Sequence, residues 1–225
     1  MATKPLLFLG SNSNLILFAD LAEDMGLTVK GVLDDNYFGN TESVSGIPFV
    51  GSEQTFNFEK ERDNYMFFVS PSVIPINLLD RAKRLKMIKI VEHFNLDLAT
   101  LTHKFCEISK TATVHPGSYV GYCAGIGNHT TLMPHSQVHA HVGMAHDCVL
   151  GKNSVVERGA FITGGITIGE NAHIGFGAAV SKAKYVGANS VVHPRVTVFR
   201  DVEENEIVSL AGDNTRRVYG EVIRT

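Results

Sequence analysis

The chain has 225 residues, 44% of them hydrophobic and 19% charged. That is enough apolar material for one or two packed domains and too much for a disordered chain. Its 20 Lys and Arg against 23 Asp and Glu leave a formal net charge of −3, without the basic excess of a nucleic-acid-binding surface. Cys106, Cys123 and Cys148 are too few, and odd in number, for a disulfide framework. No apolar run reaches membrane-spanning length, and the N-terminal stretch shows no signal-like cleavage site. The expectation is a cytoplasmic protein with neither nucleic acid nor membrane as a partner.

Residues 1–98 read as alternating strands and helices. Leu6-Leu7-Phe8-Leu9 is a short continuous apolar run closed by Gly10, the pattern of a buried parallel strand. Asn14 to Met25 carries apolar residues at helical spacing, with Gly26 as its stop. Thr28–Leu33 reads as a second strand ending in Asp34-Asp35, and Met66–Val69 as a third. Ile76–Leu85 follows as a helix, and Ile88–Val91 as a fourth strand. This order predicts a small, mostly parallel α/β domain of Rossmann-like type. Ligands of such sheets sit beyond the C-terminal strand ends, here Gly10 to Asn14, Asp34-Asp35 and Ser70-Pro71-Ser72.

From residue 99 to residue 225 the grammar changes. Starting at Ile108 and stepping by six to Val198, 15 of 16 positions are Ile, Leu or Val, and the other is Met144. Those three residue types number only 55 of 225, so chance does not produce the run. Four residues after each such position the side chain is usually small, as at Ala112, Ala124, Cys148, Ala160 and Ala178. A strict six-residue period is neither a helix nor a hairpin array; it marks a parallel β-helix of hexapeptide repeats. Three hexapeptides close one triangular turn, so residues 18 apart stack on one edge of a prism at roughly 4.8 Å strand spacing. The small residue is expected to let the chain turn each corner, and residues 203–225 to cap the prism's open end.

The repeat register sorts the histidines. Six of the ten lie between Thr113 and Cys148. His129, His135 and His141 fall at equivalent places on three different faces, so one subunit cannot gather them. His146 is followed by Asp147, with Asn128 one turn below and Gly164 one turn above. An imidazole can take the proton of an attacking amine or hydroxyl. A neighbouring carboxylate orients it. Gly164-Gly165 leaves room for a ligand and exposes backbone N–H groups. Cys148, at a small inward position, reads as a core thiol.

Ala145-His146-Asp147-Cys148-Val149-Leu150-Gly151 resembles the catalytic motif of the sialic acid O-acetyltransferase family, which includes bacterial N-acetyltransferases of nucleotide-linked amino sugars. Ile162–Gly169 and Ile174–Ala178 are similar to that family's coenzyme A end. Leu7–Gly10, Gly31–Asn36 and Gly46–Gly51 are similar to its nucleotide-sugar domain. The resemblance implies a left-handed β-helix, a homotrimer with intersubunit active sites, and His146 as base with Asp147 as its partner. It implies acetyl-CoA along Val155, Gly164, Gly165, Phe176 and Pro194, and the acceptor's nucleotide around Asn12, Ser13, Asn14, Asp34 and Asp35. Four positions depart from the family's usual sequence. Asn14 replaces a histidine, Ser70-Pro71-Ser72 replaces a Gly-containing strand exit, Val155 replaces a second histidine, and Asp213-Asn214-Thr215-Arg216 replaces an Asn-Pro-Ala-Lys.

The leading expectation is an acetyl-CoA-dependent transferase acting on a sugar, foremost the amino group of a nucleotide-linked amino sugar in surface-glycan biosynthesis. A sugar O-acetyltransferase is the near alternative. A zinc enzyme of the γ-carbonic-anhydrase type would draw on His141 and His146 with His129; the leading expectation includes no metal. A non-catalytic sugar-nucleotide-binding protein is the third class. Lys182 and Lys184 interrupt the repeat near the expected coenzyme channel and read as a solvated loop.

Overall fold

The computed structural model describes residues 4–37, 42–70, 78–181 and 183–209, with only the backbone for 78–80. Pro71, Ser72, Lys182, Asp213–Arg216 and most of the expected cap lie outside the described residues. The chain divides into two compact units between Leu101 and Thr102.

The first unit is built on a sheet of five strands: β1 (Leu6–Leu9), β2 (Val29–Leu33), β3 (Ser43–Val44), β4 (Ile47–Gly51) and β5 (Met66–Val69). Their order is β3-β4-β2-β1-β5, parallel except for the β3–β4 hairpin. The hairpin turns on Ser45 and Gly46, both at positive φ, as a tight two-residue turn between twisted strands requires. Four apolar residues in a row suit β1 to an interior position between β2 and β5, fully buried. Helix α1 (Leu15–Asp24) buries Leu15, Phe18, Ala19, Leu21 and Ala22. It ends where Gly26 adopts φ +78°, with Gly26 N–H donating to Glu23 O and Leu27 N–H to Ala22 O, a Schellman closure. A single turn, α2 (Phe58–Glu61), and the long α3 (Leu78–Phe94) complete the unit.

The expected fourth strand at Ile88–Val91 is instead the second half of α3. The alternation Ile88-Lys89-Ile90 mimics a strand, but the buried residues Arg84, Met87, Ile88 and Val91 recur at helical spacing and cover the sheet with Phe67 and Val69. Arg84 lies wholly buried with Nη1 donating to Val69 O at 2.8 Å, and burial lowers its pKa to about 9. The hairpin strands β3 and β4 and the turn α2 were not among the expected elements.

The second unit is a parallel β-helix. Two-residue strands recur every six residues from Leu101–Thr102 to Thr197–Val198, with Ile207–Val208 as a last rung. They sort into three parallel sheets whose paired residues are 18 apart, as in Glu107, Gly125, Gly143, Phe161, Ala179 and Thr197, except at the last rung, where Val191 pairs with Ile207. Of the 16 aliphatic positions, 14 from Val120 to Val198 are buried, while Ile108 and Val114 pack partly buried against the same core.

The corners differ from the expectation. The small residues Ala124, Cys148, Ala160, Ala172 and Ala178 are core-filling. The turn itself falls one residue earlier, where His129, His135, His141, Asp147, Asn153, Asn171, Asn189 and Arg195 all have φ between 55° and 61°. Left-handed backbone at a non-glycine residue is uncommon and favours Asn, Asp and His, which accounts for much of the histidine and asparagine content of this half. Asn153 donates to Asn171 at 2.7 Å and Asn171 to Asn189 at 3.3 Å, tying one corner together across three turns. Residues 203–209 continue the coil, where Arg200 pairs with Glu206.

Candidate active site

His146 and Asp147 lie at the corner between strands Gly143–Met144 and Val149–Leu150. Asp147 takes the left-handed conformation, φ 58°, and its N–H donates to Asn128 O at 2.8 Å. The turn brings its carboxylate back to the preceding ring, where His146 Nδ1 and Asp147 Oδ2 are 2.7 Å apart. Both side chains are open to solvent, at 67% and 59%. With Nδ1–H donating to the carboxylate, the proton is fixed on that nitrogen and the Nε2 lone pair is available.

Gly164 occupies the same corner one turn above. A Cβ at this residue would stand 2.7 Å from both Nε2 and Cε1 of His146, so the ring occupies the space that any other residue's side chain would need. Gly165 N–H donates to His146 O at 2.9 Å. Of the two glycine amides expected to be exposed, Gly165's is therefore committed to holding the corner. Gly164 N–H has no acceptor among the described residues. Beneath the site, Cys148 is buried, its thiol directed at His146 O (3.5 Å) and Thr163 O (3.3 Å). Burial pushes the thiol pKa up, as suits a core residue.

The models of known protein families and the curated proteins yield no match. Solved structures do. The acetyltransferase domain of PglB from Neisseria gonorrhoeae, in complex with acetyl coenzyme A, is 21% identical with TM-score 0.78, covering 92% of this chain and 96% of that one. A point variant of perosamine N-acetyltransferase from Caulobacter crescentus, in complex with CoA and GDP-perosamine, is 19% identical with TM-score 0.71, covering 93% and 96%. WeeI from Acinetobacter baumannii is 14% identical with TM-score 0.58, covering 93% and 98%. The fold is that of the two acetyltransferases. The repeat unit is accordingly a left-handed parallel β-helix.

The remaining residues implied by the resemblance stand in different surroundings. Phe176 is exposed, with the Arg195 guanidinium 5.7 Å from its ring centre, and Pro194 is half-buried. Val155 is fully buried. It belongs to the prism face whose outward residues Tyr119, Gln137, Val155, His173 and Val191 are all buried, unlike those of the other two faces. His141 lies at a different corner from His146, its ring 5.3 Å from Tyr122's. Among the described residues no three His, Cys, Asp or Glu side chains form a metal-binding group.

In the first unit, the strand ends of β1 and β2 meet. Asp34 is wholly buried and accepts from Ser11 N–H (2.7 Å), Ser11 Oγ, Asn36 N–H (2.9 Å) and Lys83 Nζ, 2.7 Å from each carboxylate oxygen. Burial pushes its pKa up, but the bonds from Lys83, Ser11 and Asn36 more than offset this and hold it below the usual carboxylate range. Asp35 accepts from Ser52, Gln54 and Lys86. Against burial, which raises it, hydrogen bonding also holds Asp35 low. Glu53, 4% exposed, is pushed up to about 8 by burial and by Asp35 beside it. The two acids expected around a nucleotide are thus engaged in fixing the loop Gly10 to Asn14 and the turn at Ser52. Ser13 is exposed and Asn14 half-buried. Asn12 Oδ1 accepts from Asn14 N–H at 2.9 Å, while its Nδ2 is buried without a partner. Lys83, Lys86 and Glu53 were not singled out in the sequence. Lys83 and Lys86 fall one helical turn apart on α3, a spacing visible only once Leu78–Phe94 is read as one helix.

Proposed function

We propose that the protein is an acetyl-CoA-dependent N-acetyltransferase of a nucleotide-linked amino sugar. The observation that carries this reading is the His146–Asp147 pair, 2.7 Å apart and open to solvent on a prism of acetyltransferase fold. The proposed acyl donor and acceptor class agree with the ligands of the two similar structures, acetyl coenzyme A in one and CoA with GDP-perosamine in the other.

In this mechanism the neutral amine of the sugar lies against His146 Nε2. As the amine nitrogen attacks the thioester carbonyl, its proton passes to Nε2, and Asp147 stabilises the resulting imidazolium through Nδ1–H. In this reading the free Gly164 N–H donates to the oxyanion of the tetrahedral adduct. Collapse breaks the C–S bond, the proton on Nε2 goes to the departing thiolate, and an amide and free coenzyme A result.

Residues 1–98 bind the nucleotide in this reading, with Asn12, Ser13 and Asn14 at the sheet's switch point. The unpartnered Asn12 Nδ2 is a donor awaiting an acceptor. Asp34 and Asp35 hold that loop in shape. Residues 99–225 carry the transfer, with Gly164, Gly165, Phe176 and Pro194 along the pantetheine path. Val155 joins that path only if its covered face opens to a neighbouring subunit. The proposed assembly is a cytoplasmic homotrimer with the active sites between subunits.

The test is thiol release from acetyl-CoA across a panel of nucleotide-linked amino sugars, with sedimentation for the oligomer. Thiol release that depends on the amino sugar and vanishes in His146→Ala supports the reading. Release unchanged in His146→Ala, or absent with every acceptor, refutes it.

A further inference from the structure

The prism face that ends at His146 is built differently from the other two. Its outward positions are Glu107, Gly125, Gly143, Phe161, Ala179 and Thr197. Consecutive glycines on neighbouring rungs strip the side-chain layer from two strands, and the neighbours on either side are large. Phe161, 52% exposed, leans down over Gly143, where a Cβ would stand 2.7 Å from the ring. A Cβ at Gly125 would meet nothing within 4 Å. The result is a groove of about 590 Å³, floored by Gly125 and Gly143 and bounded by Phe161 and Glu107, within the size range of small-molecule sites.

The groove's rim runs into the catalytic corner. Ala145, which lines it, immediately precedes His146, and Asn128, also lining it, is the residue whose carbonyl accepts from Asp147 N–H. Polar groups converge there without being consumed by the fold. Ser109 Oγ donates to Asn128 Oδ1 at 2.6 Å, which leaves the Asn128 amide nitrogen without a partner among the described residues. Glu107 and Lys110 are exposed and form no ion pair among the described residues.

We infer that this groove is the sugar subsite of the acceptor, an amino-hexose ring lying on Gly125 and Gly143 against the face of Phe161. The inference rests on the acyl-transfer reading for its place beside His146, and it adds the residues that select the acceptor. An aromatic ring beside a bare backbone floor suits the C–H face of a pyranose. Asn128 Nδ2 and Lys110 supply donors for hydroxyls or a phosphate, and the Glu107 carboxylate supplies an acceptor for an ammonium or hydroxyl group.

The experiment is equilibrium binding by saturation-transfer NMR and calorimetry, without acetyl-CoA. The probes are glucosamine, UDP-glucosamine and GDP-perosamine, with UDP-glucose as the amine-free control. Gly125→Leu fills the groove at an outward strand position with open space, so the fold is retained, and an unchanged melting temperature verifies it. The expected results are at least a tenfold loss of amino-sugar binding in Gly125→Leu and a several-fold loss in Phe161→Ala. Glu107→Gln weakens the amine-bearing probes but not UDP-glucose. Equal binding by wild type and Gly125→Leu, or no binding of any amino-sugar probe by wild type, overturns the inference. Thiol release in a parallel assay reports separately on the transferase reading. Binding lost in Gly125→Leu with no turnover in wild type would leave the groove standing and remove the chemistry.

Discussion

Replacing Gly164 by alanine isolates the catalytic corner from the fold. The new Cβ would lie 2.7 Å from His146 Nε2 and Cε1 and 3.1 Å from Cδ2, where ordinary contact begins at 3.4 Å. The imidazole must therefore retreat by about 0.7 Å at its working edge, straining the 2.7 Å bond that fixes its tautomer. Misplacement on the order of 1 Å costs roughly 100-fold in rate, about 2.7 kcal/mol. Stability should not follow. Gly164 is exposed, its φ lies outside the left-handed region, and the atoms it meets belong to an exposed side chain that can swing away. Alanine there also restricts the unfolded chain, a gain of up to about 1 kcal/mol. Gly165→Ala tests the backbone of the corner instead. Nothing lies within 4 Å of its Cβ, but φ is +76°, so the fold should lose roughly 1–2 kcal/mol. The assay pairs thiol release from acetyl-CoA with thermal unfolding. Full turnover in Gly164→Ala would falsify the assignment of His146, in this rotamer, as the base.

Asp147→Asn keeps a residue type that tolerates φ 58° but removes the carboxylate charge behind the imidazolium. The expected outcome is an unchanged melting temperature and a kcat at least tenfold lower, read from thiol release at saturating substrates. Lys83→Met strands the buried Asp34 carboxylate and should cost about 3 kcal/mol in urea unfolding. Restoring neutrality with Asp34→Asn in the same chain should recover part of that loss. Glu53 is a carboxyl with a folded pKa raised to about 8. Below its ordinary value the group is neutral in both states, and as pH rises toward 8 the unfolded chain ionises while the folded one resists. Its contribution therefore lowers stability across that window. Glu53→Gln should flatten the fall in melting temperature between about pH 5 and 8. Asp34, held low, acts with the opposite sign: its contribution is present above the ordinary carboxylate pKa and is lost as pH falls below it.

Much of this molecule is written in one dimension. A six-residue period needs no long-range information, because each aliphatic residue faces the same narrow interior whatever its neighbours do. The stacking of His146 under Gly164, 18 residues on, follows from the period alone. The run Leu6–Leu9 and the stop at Gly26 were legible for the same local reasons. Ile88–Val91 was misread because a four-residue apolar alternation satisfies a strand and a helix equally. Only the packing of Arg84, Met87, Ile88 and Val91 onto the sheet decides between them. That packing also sets Lys83 against Asp34, 49 residues away, and Lys86 against Asp35.

The sequence by itself determined the prism, its register and the corner where an imidazole meets a carboxylate, since those depend on spacing along the chain. The tertiary structure decided which polar groups are consumed by the fold and which are left over. It commits Gly165 N–H and frees that of Gly164, closes Val155 off, and opens a trough beside Phe161. Periodicity places a residue on a face, but accessibility and hydrogen-bond satisfaction depend on what the rest of the chain brings against it.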